Sequence, residues 1–254
     1  MYRRNRRSTC RRVVFWTVLI LICLLLFRCC CNNMINDCEG DYLLYKSPTI
    51  VIDPGHGGFD GGAEGLNNTV EKDINLSISL KLRDMLNFIG FETAIVRDGD
   101  YSIEDDCSKS IAIRKTSDLH NRLKLCENFD NPILVSIHQN KFQQSSCSGT
   151  QVFYGKRNSK SKNLAEKLQL NFKNDINLQN HREAKKGDKN LFLLYNVKCP
   201  AVLIECGFIS NPSEAELLID GDYQSKICFI ITKSLLDFVN ENDKSITTFF
   251  NLKK

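Results

Sequence analysis

The sequence predicts an α/β protein: a three-layer domain with a mostly parallel, twisted sheet flanked by helices, preceded by an N-terminal transmembrane signal-anchor. Three observations carry this reading. From Thr49 onward, short apolar runs alternate with segments of helical periodicity. A glycine-rich stretch follows the first apolar run, where an open α/β sheet presents groups to its carboxyl-edge crevice. An uncharged apolar run, residues 13–27, stands behind an arginine-rich N-terminus. The 254 residues suffice for one sizeable domain or two small ones, and a composition of 42% hydrophobic and 25% charged residues argues against wholesale disorder.

In chain order, residues 1–12 are a basic segment expected in the cytoplasm, with Arg3, Arg4, Arg6, Arg7, Arg11 and Arg12 and no acid. Residues 13–31 are the expected anchor. Its uncharged core is a little short for a spanning helix and reaches the required length through Cys29, Cys30 and Cys31, with Arg28 snorkelling to the headgroups. No small-x-small cleavage site and no lipobox follows, so the anchor is expected to remain uncleaved. The arginines before it hold the N-terminus inside and put the body outside the cytoplasm, on the cell-wall side. Without the seven arginines of residues 1–28, the net charge of +4 becomes −3 for the remainder. The positive total is therefore no sign of nucleic-acid binding.

Residues 32–48 read as a polar linker, 49–241 as the folded domain and 242–254 as a polar tail. Within the domain, 49–53 is a buried strand and 53–65 a glycine-rich loop. Residues 71–89 are a helix with Ile74, Ile78, Leu82, Met85 and Ile89 on one stripe, stopped by Gly90. A strand at 91–97 precedes a helix at 115–127 that carries Leu119, Leu123 and Cys126 on one face. Residues 133–137 are a second core strand and 150–154 a third extended run; 161–172 is helical. Residues 191–195 and 201–205 read as strands, 212–218 as a helix and 223–240 as a last amphipathic helix.

Twelve cysteines occur, without any CxxC pairing. Cys107, Cys126, Cys147, Cys199, Cys206 and Cys228 are scattered through the body, and spacing alone gives no connectivity. Cys206 lies in an apolar run and reads as a small core residue.

Four polar groups fall at ends of elements. His56 follows the first strand inside Gly55-His56-Gly57-Gly58-Phe59-Asp60-Gly61-Gly62-Ala63, and His138 follows Leu134-Val135-Ser136-Ile137. Glu71 opens the long helix, and Glu205 ends Ala201-Val202-Leu203-Ile204, where a carboxylate is costly unless paired or coordinating. Two imidazoles and a carboxylate with an open fourth position make a catalytic zinc site, and a further carboxylate is needed to move the proton. His56, Glu71, His138 and Glu205 supply that inventory. Each alone has a plainer reading: a solvated loop histidine, or a glutamate favouring a helix N-terminus. Their separations match no local metal motif. His120 and His181 read as solvated surface residues, as do the basic pairs Lys156-Arg157 and Lys185-Lys186. The glycine loop lacks a dinucleotide fingerprint and no Gly-Lys-Ser/Thr follows; no Gly-x-Ser-x-Gly elbow supports a serine hydrolase.

Four runs in order, Ile52-Asp53-Pro54-Gly55-His56-Gly57-Gly58, Glu71-Lys72-Asp73, Ser136-Ile137-His138-Gln139-Asn140 and Glu205-Cys206-Gly207-Phe208-Ile209-Ser210-Asn211-Pro212, resemble the blocks of the zinc-dependent N-acetylmuramoyl-L-alanine amidases, the amidase-3 family. The resemblance spans roughly residues 49–240. It implies zinc bound by His56, Glu71 and His138, with Glu205 as catalytic carboxylate. The implied substrate is peptidoglycan, cut at the amide between the lactyl group of N-acetylmuramic acid and L-alanine of the stem peptide. Lys141 departs from the pattern, which often has a small residue there; the metal set is untouched.

A narrower similarity is to the sporulation and germination amidases of the spore cortex. The short anchor, Asp118-Leu119-His120-Asn121-Arg122-Leu123-Lys124-Leu125 and Ser148-Gly149-Thr150-Gln151-Val152-Phe153-Tyr154-Gly155-Lys156 carry it. It implies a role in cortex maturation and a lipoprotein partner of the kind some members need to hold zinc. Two rivals stand beside this reading: a zinc peptidase cutting within the stem peptide, and a catalytically inactive peptidoglycan-binding protein.

Overall fold

The computed structural model describes residues 48–65 and 69–242, together with Trp16. The expected cytoplasmic segment, the anchor apart from Trp16, nearly all of the linker and the tail beyond 242 lie outside the described residues. Among those described, no helix is long and apolar enough to cross a membrane.

The elements run β1 (Thr49–Pro54), α1 (Glu71–Phe88), β2 (Thr93–Ile95), α2 (Ile111–Glu127), β3 (Pro132–Asn140), β4 (Gln151–Tyr154), α3 (Lys160–Asp175), β5 (Lys185–Lys186), α4 (Phe192–Asn196), β6 (Ala201–Phe208), α5 (Pro212–Ile219) and α6 (Gly221–Asn242). The strands form one sheet in the order β2-β1-β3-β6-β4-β5. Alternation along the strands divides the core into two layers. Ile50, Ile52, Val135, Ile137, Val202 and Ile204 meet Ile78 and Leu82 of α1, Leu164 and Leu168 of α3, and Ile231 and Leu235 of α6. On the other face, Val51, Leu134 and Leu203 pack with Cys126 of α2 and Leu193 and Leu194 of α4. This is the expected three-layer α/β arrangement.

The sheet is mixed, which corrects the mostly parallel expectation in one place. β1, β2, β3 and β6 run parallel, but β4 pairs antiparallel with β6. Only residues 141–150 separate β3 from β4, too few for a crossover helix, so the chain reverses direction. A second correction concerns residues 191–195, predicted as a strand. They belong to α4, where Tyr195 N–H donates to Leu191 O and Val197 N–H to Leu193 O, both at 2.9 Å. A short apolar run carries too little periodicity to separate helix from strand. The two-residue edge strand β5 was not foreseen, and α2 begins at Ile111, four residues before the predicted start.

Two helix starts position the loops near the strand ends. At α5, Asn211 Oδ1 accepts from Ser213 N–H at 3.0 Å and Glu214 N–H at 3.2 Å, with Pro212 in the first turn. At α1 the glycine loop does the capping: Glu71 N–H donates to Ala63 O at 2.9 Å and Lys72 N–H to Gly61 O at 3.1 Å. The loop is thereby docked on the helix that carries Glu71.

Candidate metal centre

His56, Glu71 and His138, distant in sequence, converge at the carboxyl ends of β1 and β3. One ligand atom from each lies within 4.8 Å of the others. Glu71 Oε1 stands 3.3 Å from His56 Nε2 and 3.0 Å from His138 Nδ1. Ligands placed about 2.0–2.1 Å from a common tetrahedral centre would be roughly 3.3 Å apart. The donor set and these spacings fit a zinc ion, and two imidazoles with a carboxylate leave its fourth position open.

The backbone around the centre is tightly specified. His56 itself has φ +63°, a left-handed conformation that is strained for a non-glycine residue. Gly62, at φ +71°, has no room for a side chain: a Cβ would lie 2.6 Å from Glu71 Oε2 and 2.7 Å from the His56 ring. A methyl on Gly55 would fall on the His138 ring. Two buried arginines hold the same turn. Arg97 Nη2 donates to Gly55 O and Lys72 O, and its Nε to His56 O. Arg122 Nη1 donates to Asp53 Oδ1 at 2.6 Å and Pro54 O at 2.9 Å, while Nη2 donates to His56 O at 2.6 Å.

Polar partners fix each ligand. Asp60 Oδ2 lies 3.0 Å from His56 Nδ1 and so orients the ring, leaving Nε2 toward the centre. Glu71 is 4% exposed. Its Oε2 accepts from Ala63 N–H at 2.8 Å and its Oε1 from Gln139 N–H at 3.1 Å. Burial opposes the charge of Glu71, yet the two histidines outweigh it and hold the carboxyl below its ordinary range. Burial likewise opposes a charged His56, but Asp60 and Glu71 raise it to about 9. Without a cation, a proton on His56 balances Glu71; a dication would take that proton's place.

Glu205 stands on β6 directly beside His138 on β3. Its Oε2 is buried without a hydrogen-bond partner among the described residues. Burial, opposed by His138 and reinforced by Glu71, pushes its carboxyl up to about 7. A buried carboxylate oxygen left unpaired is costly in a finished core and natural where a water or substrate is to be met. All four sequence-predicted residues thus meet at one place.

Beside the centre lies a cavity of about 350 Å³, walled by Leu119, Leu191, Phe192 and Leu193, with Lys115 at its rim. Residues 191–194 of the misread segment therefore form a wall of the cleft. His120 and His181 are exposed, as predicted, with His120 against Phe192 at 4.8 Å between ring centroids. Cys206 is a core residue, also as predicted, and Lys185 and Lys186 are exposed.

Sequence reasoning missed Asp60, Arg97 and Arg122. Asp60 stands in the glycine loop, four residues from His56, where nothing in the sequence gave it a role. Asp118 and Arg122 are an i,i+4 ion pair on a helix, a pattern ordinarily read as solvated. The signal was that Arg122 interrupts the face carrying Leu119, Leu123 and Cys126.

Residues 50–237 match the family described as N-acetylmuramoyl-L-alanine amidase. The germination-specific N-acetylmuramoyl-L-alanine amidase of Bacillus subtilis is 35% identical over 199 residues, covering 78% of this chain and 83% of that protein. Among solved structures, the CwlD amidase of Clostridioides difficile in complex with the GerS lipoprotein is 38% identical, with a TM-score of 0.73, covering 76% of this chain and 99% of that one. The AmiC2 amidase of Nostoc punctiforme is 26% identical with a TM-score of 0.65, covering 76% and 97%.

Proposed function

The chain belongs to the N-acetylmuramoyl-L-alanine amidase family and is a peptidoglycan hydrolase of that class, and we propose that it works with zinc held by His56, Glu71 and His138. The observation that carries this is the convergence of those three donors beside the unpartnered carboxylate oxygen of Glu205. Zinc bound there supplies Lewis acidity, polarising the scissile carbonyl and making water acidic near neutral pH.

The chain's own residues supply the rest. Glu205 accepts the proton of the attacking water and returns it to the departing alanine nitrogen, so that the amine leaves neutral. A carboxyl raised by burial suits both halves of that transfer, since acid and base strength are balanced near the working pH. Asp60 keeps the imidazole of His56 in one orientation, and the two arginines keep its backbone in place. The apolar wall of Leu119, Leu191 and Phe192 lines the approach to the scissile bond.

We place the reaction in maturation of spore cortex, with a lipoprotein partner. The germination-specific name of the Bacillus subtilis relative supports the first, and the GerS complex of the Clostridioides difficile structure the second. The arginine-flanked apolar run at 13–27 supports a membrane-anchored protein with its domain on the wall side.

Digestion of purified muropeptides tests the chemistry. Muramic acid with an unsubstituted lactyl group is the expected product, sensitive to chelation and restored by zinc. Cuts within the stem peptide would replace the amidase reading with a peptidase. Absence of any cut with zinc and partner supplied would leave an inactive binding protein. His138→Ala should lose both zinc and turnover; full zinc content in that variant would overturn the ligand set.

A further inference from the structure

The end of α2 remote from the metal centre carries a second pair of reactive groups. Cys126, in the last turn of α2 and fully buried, has its Sγ 3.7 Å from Sγ of Cys199, which is half-buried two residues before β6. A disulfide needs about 2.05 Å between the sulfurs, so a shift of less than about 2 Å closes the gap. A cavity of about 450 Å³ opens here, lined by Cys126, Glu127, Phe129, Pro132, Lys198 and Cys199. The other two buried thiols are engaged elsewhere: Cys206 faces Ile204 O and Cys228 faces Ile78 O, at 3.8 and 3.4 Å.

We propose that Cys126 and Cys199 are a dithiol that a small external disulfide, of which oxidised glutathione is the type, converts into an intramolecular disulfide. Cys199 is the entering nucleophile. It is the reachable sulfur, and the S–H of Cys126 together with the backbone N–H of Leu134 holds its thiol below the ordinary value despite burial. Its thiolate attacks one sulfur of the reagent, breaking that S–S bond and releasing one thiolate. Cys126, whose thiol the contact with Cys199 and burial hold above its ordinary value, then passes its proton to the released thiolate and attacks Cys199 Sγ, releasing the second thiol. Two protein thiols are oxidised and one external disulfide is reduced to two thiols.

The bridge would join the two elements that serve the metal centre. One turn before Cys126, Arg122 holds the carbonyls of Pro54 and His56. Cys199 leads directly into β6, which carries Glu205. Linking the helix that grips the His56 turn to the strand that bears Glu205 also removes conformations from the unfolded chain, because the closed loop is long. The proposal is independent of the hydrolytic reading.

The test is disulfide mapping of the purified full chain after incubation with excess oxidised glutathione, denaturing alkylation and proteolysis. The expected result is a linked peptide pair containing Cys126 and Cys199, two hydrogens lighter than the separate peptides, with loss of both alkylated forms. The oxidised protein should also melt several degrees above the reduced one, and Cys199→Ser should abolish both the linked pair and that difference. Recovery of both cysteines alkylated, or of Cys199 as a lasting glutathione adduct beside alkylated Cys126, would overturn the proposal. So would a difference in melting temperature that persists in Cys199→Ser.

Discussion

His138 and Glu205 are register partners on the neighbouring parallel strands β3 and β6. One step back, Ile137 pairs with Ile204, and both are fully buried in the core layer under α1 and α6. The register that buries those isoleucines on one face therefore sets the imidazole and the carboxylate side by side on the other. A slip of one residue would send Glu205 into the hydrophobic layer, so the core itself enforces the pairing.

Asp60 should matter to the metal through His56. Asp60→Ala removes the acceptor 3.0 Å from His56 Nδ1 and frees the ring to turn. Zinc affinity should fall about 10–100-fold in competition titrations with a chromophoric chelator. An unchanged affinity would show that the carboxylate orients nothing.

Arg122→Met should be among the most damaging single changes. It leaves Asp53, 1% exposed, with the hydroxyl of Ser136 but no cation, and leaves the carbonyl of His56 without that donor. Breaking a buried ion pair from one side costs about 3–5 kcal/mol, measurable by urea unfolding. A loss below about 1 kcal/mol would mean that the network relaxes around the gap.

The same pair gives the protein an acid limit. Burial works against the charge of Asp53, but Arg122 and Ser136 outweigh it, and the carboxyl stands below its ordinary value. A carboxyl lower in the folded than in the unfolded state stabilises the fold fully above the unfolded value of about 3.9. That stability drains away as pH falls through the lower, folded value. Unfolding free energy should thus decline on acidification below about pH 4–5, and in Arg122→Met this part of the decline should shrink. Parallel acid titrations of the two proteins, followed by circular dichroism, would expose a contrary result.

Two glycines separate backbone strain from crowding at the centre. Gly62→Ala meets a positive φ and a carboxylate 2.6 Å from the new Cβ, whereas Gly90→Ala meets a φ of +94° with nothing within 4 Å. Both should lose about 1–2 kcal/mol from the left-handed conformation. Only Gly62→Ala should also lose zinc. Equal metal content in the two variants would contradict the close packing of the loop on Glu71.

Much of this molecule was legible because its strongest signals are local. The first strand, the glycine loop and the start of α1 each carry their own punctuation, and β3 and β6 are apolar runs ending on His138 and Glu205. The direction of β4 was hidden because direction depends on the length of the connection and on which partner is already in place. The fate of residues 191–195 was hidden because five apolar residues suit either a buried helix turn or a strand. Arg97 and Arg122 were illegible for a deeper reason. Their partners are backbone carbonyls of a turn made elsewhere in the chain, and no spacing in sequence records such a contact.

The central claim is that Glu205 moves the proton while His56, Glu71 and His138 hold the metal, and Glu205→Gln tests it most directly. The change preserves size and removes proton acceptance. Zinc content, melting temperature and single-turnover cleavage should be measured on one preparation of the full chain. The account predicts near-stoichiometric zinc and an unchanged fold, with cleavage slower by about 10²-fold or more. A stable, zinc-containing Gln variant that cleaves at close to the wild-type rate would contradict it.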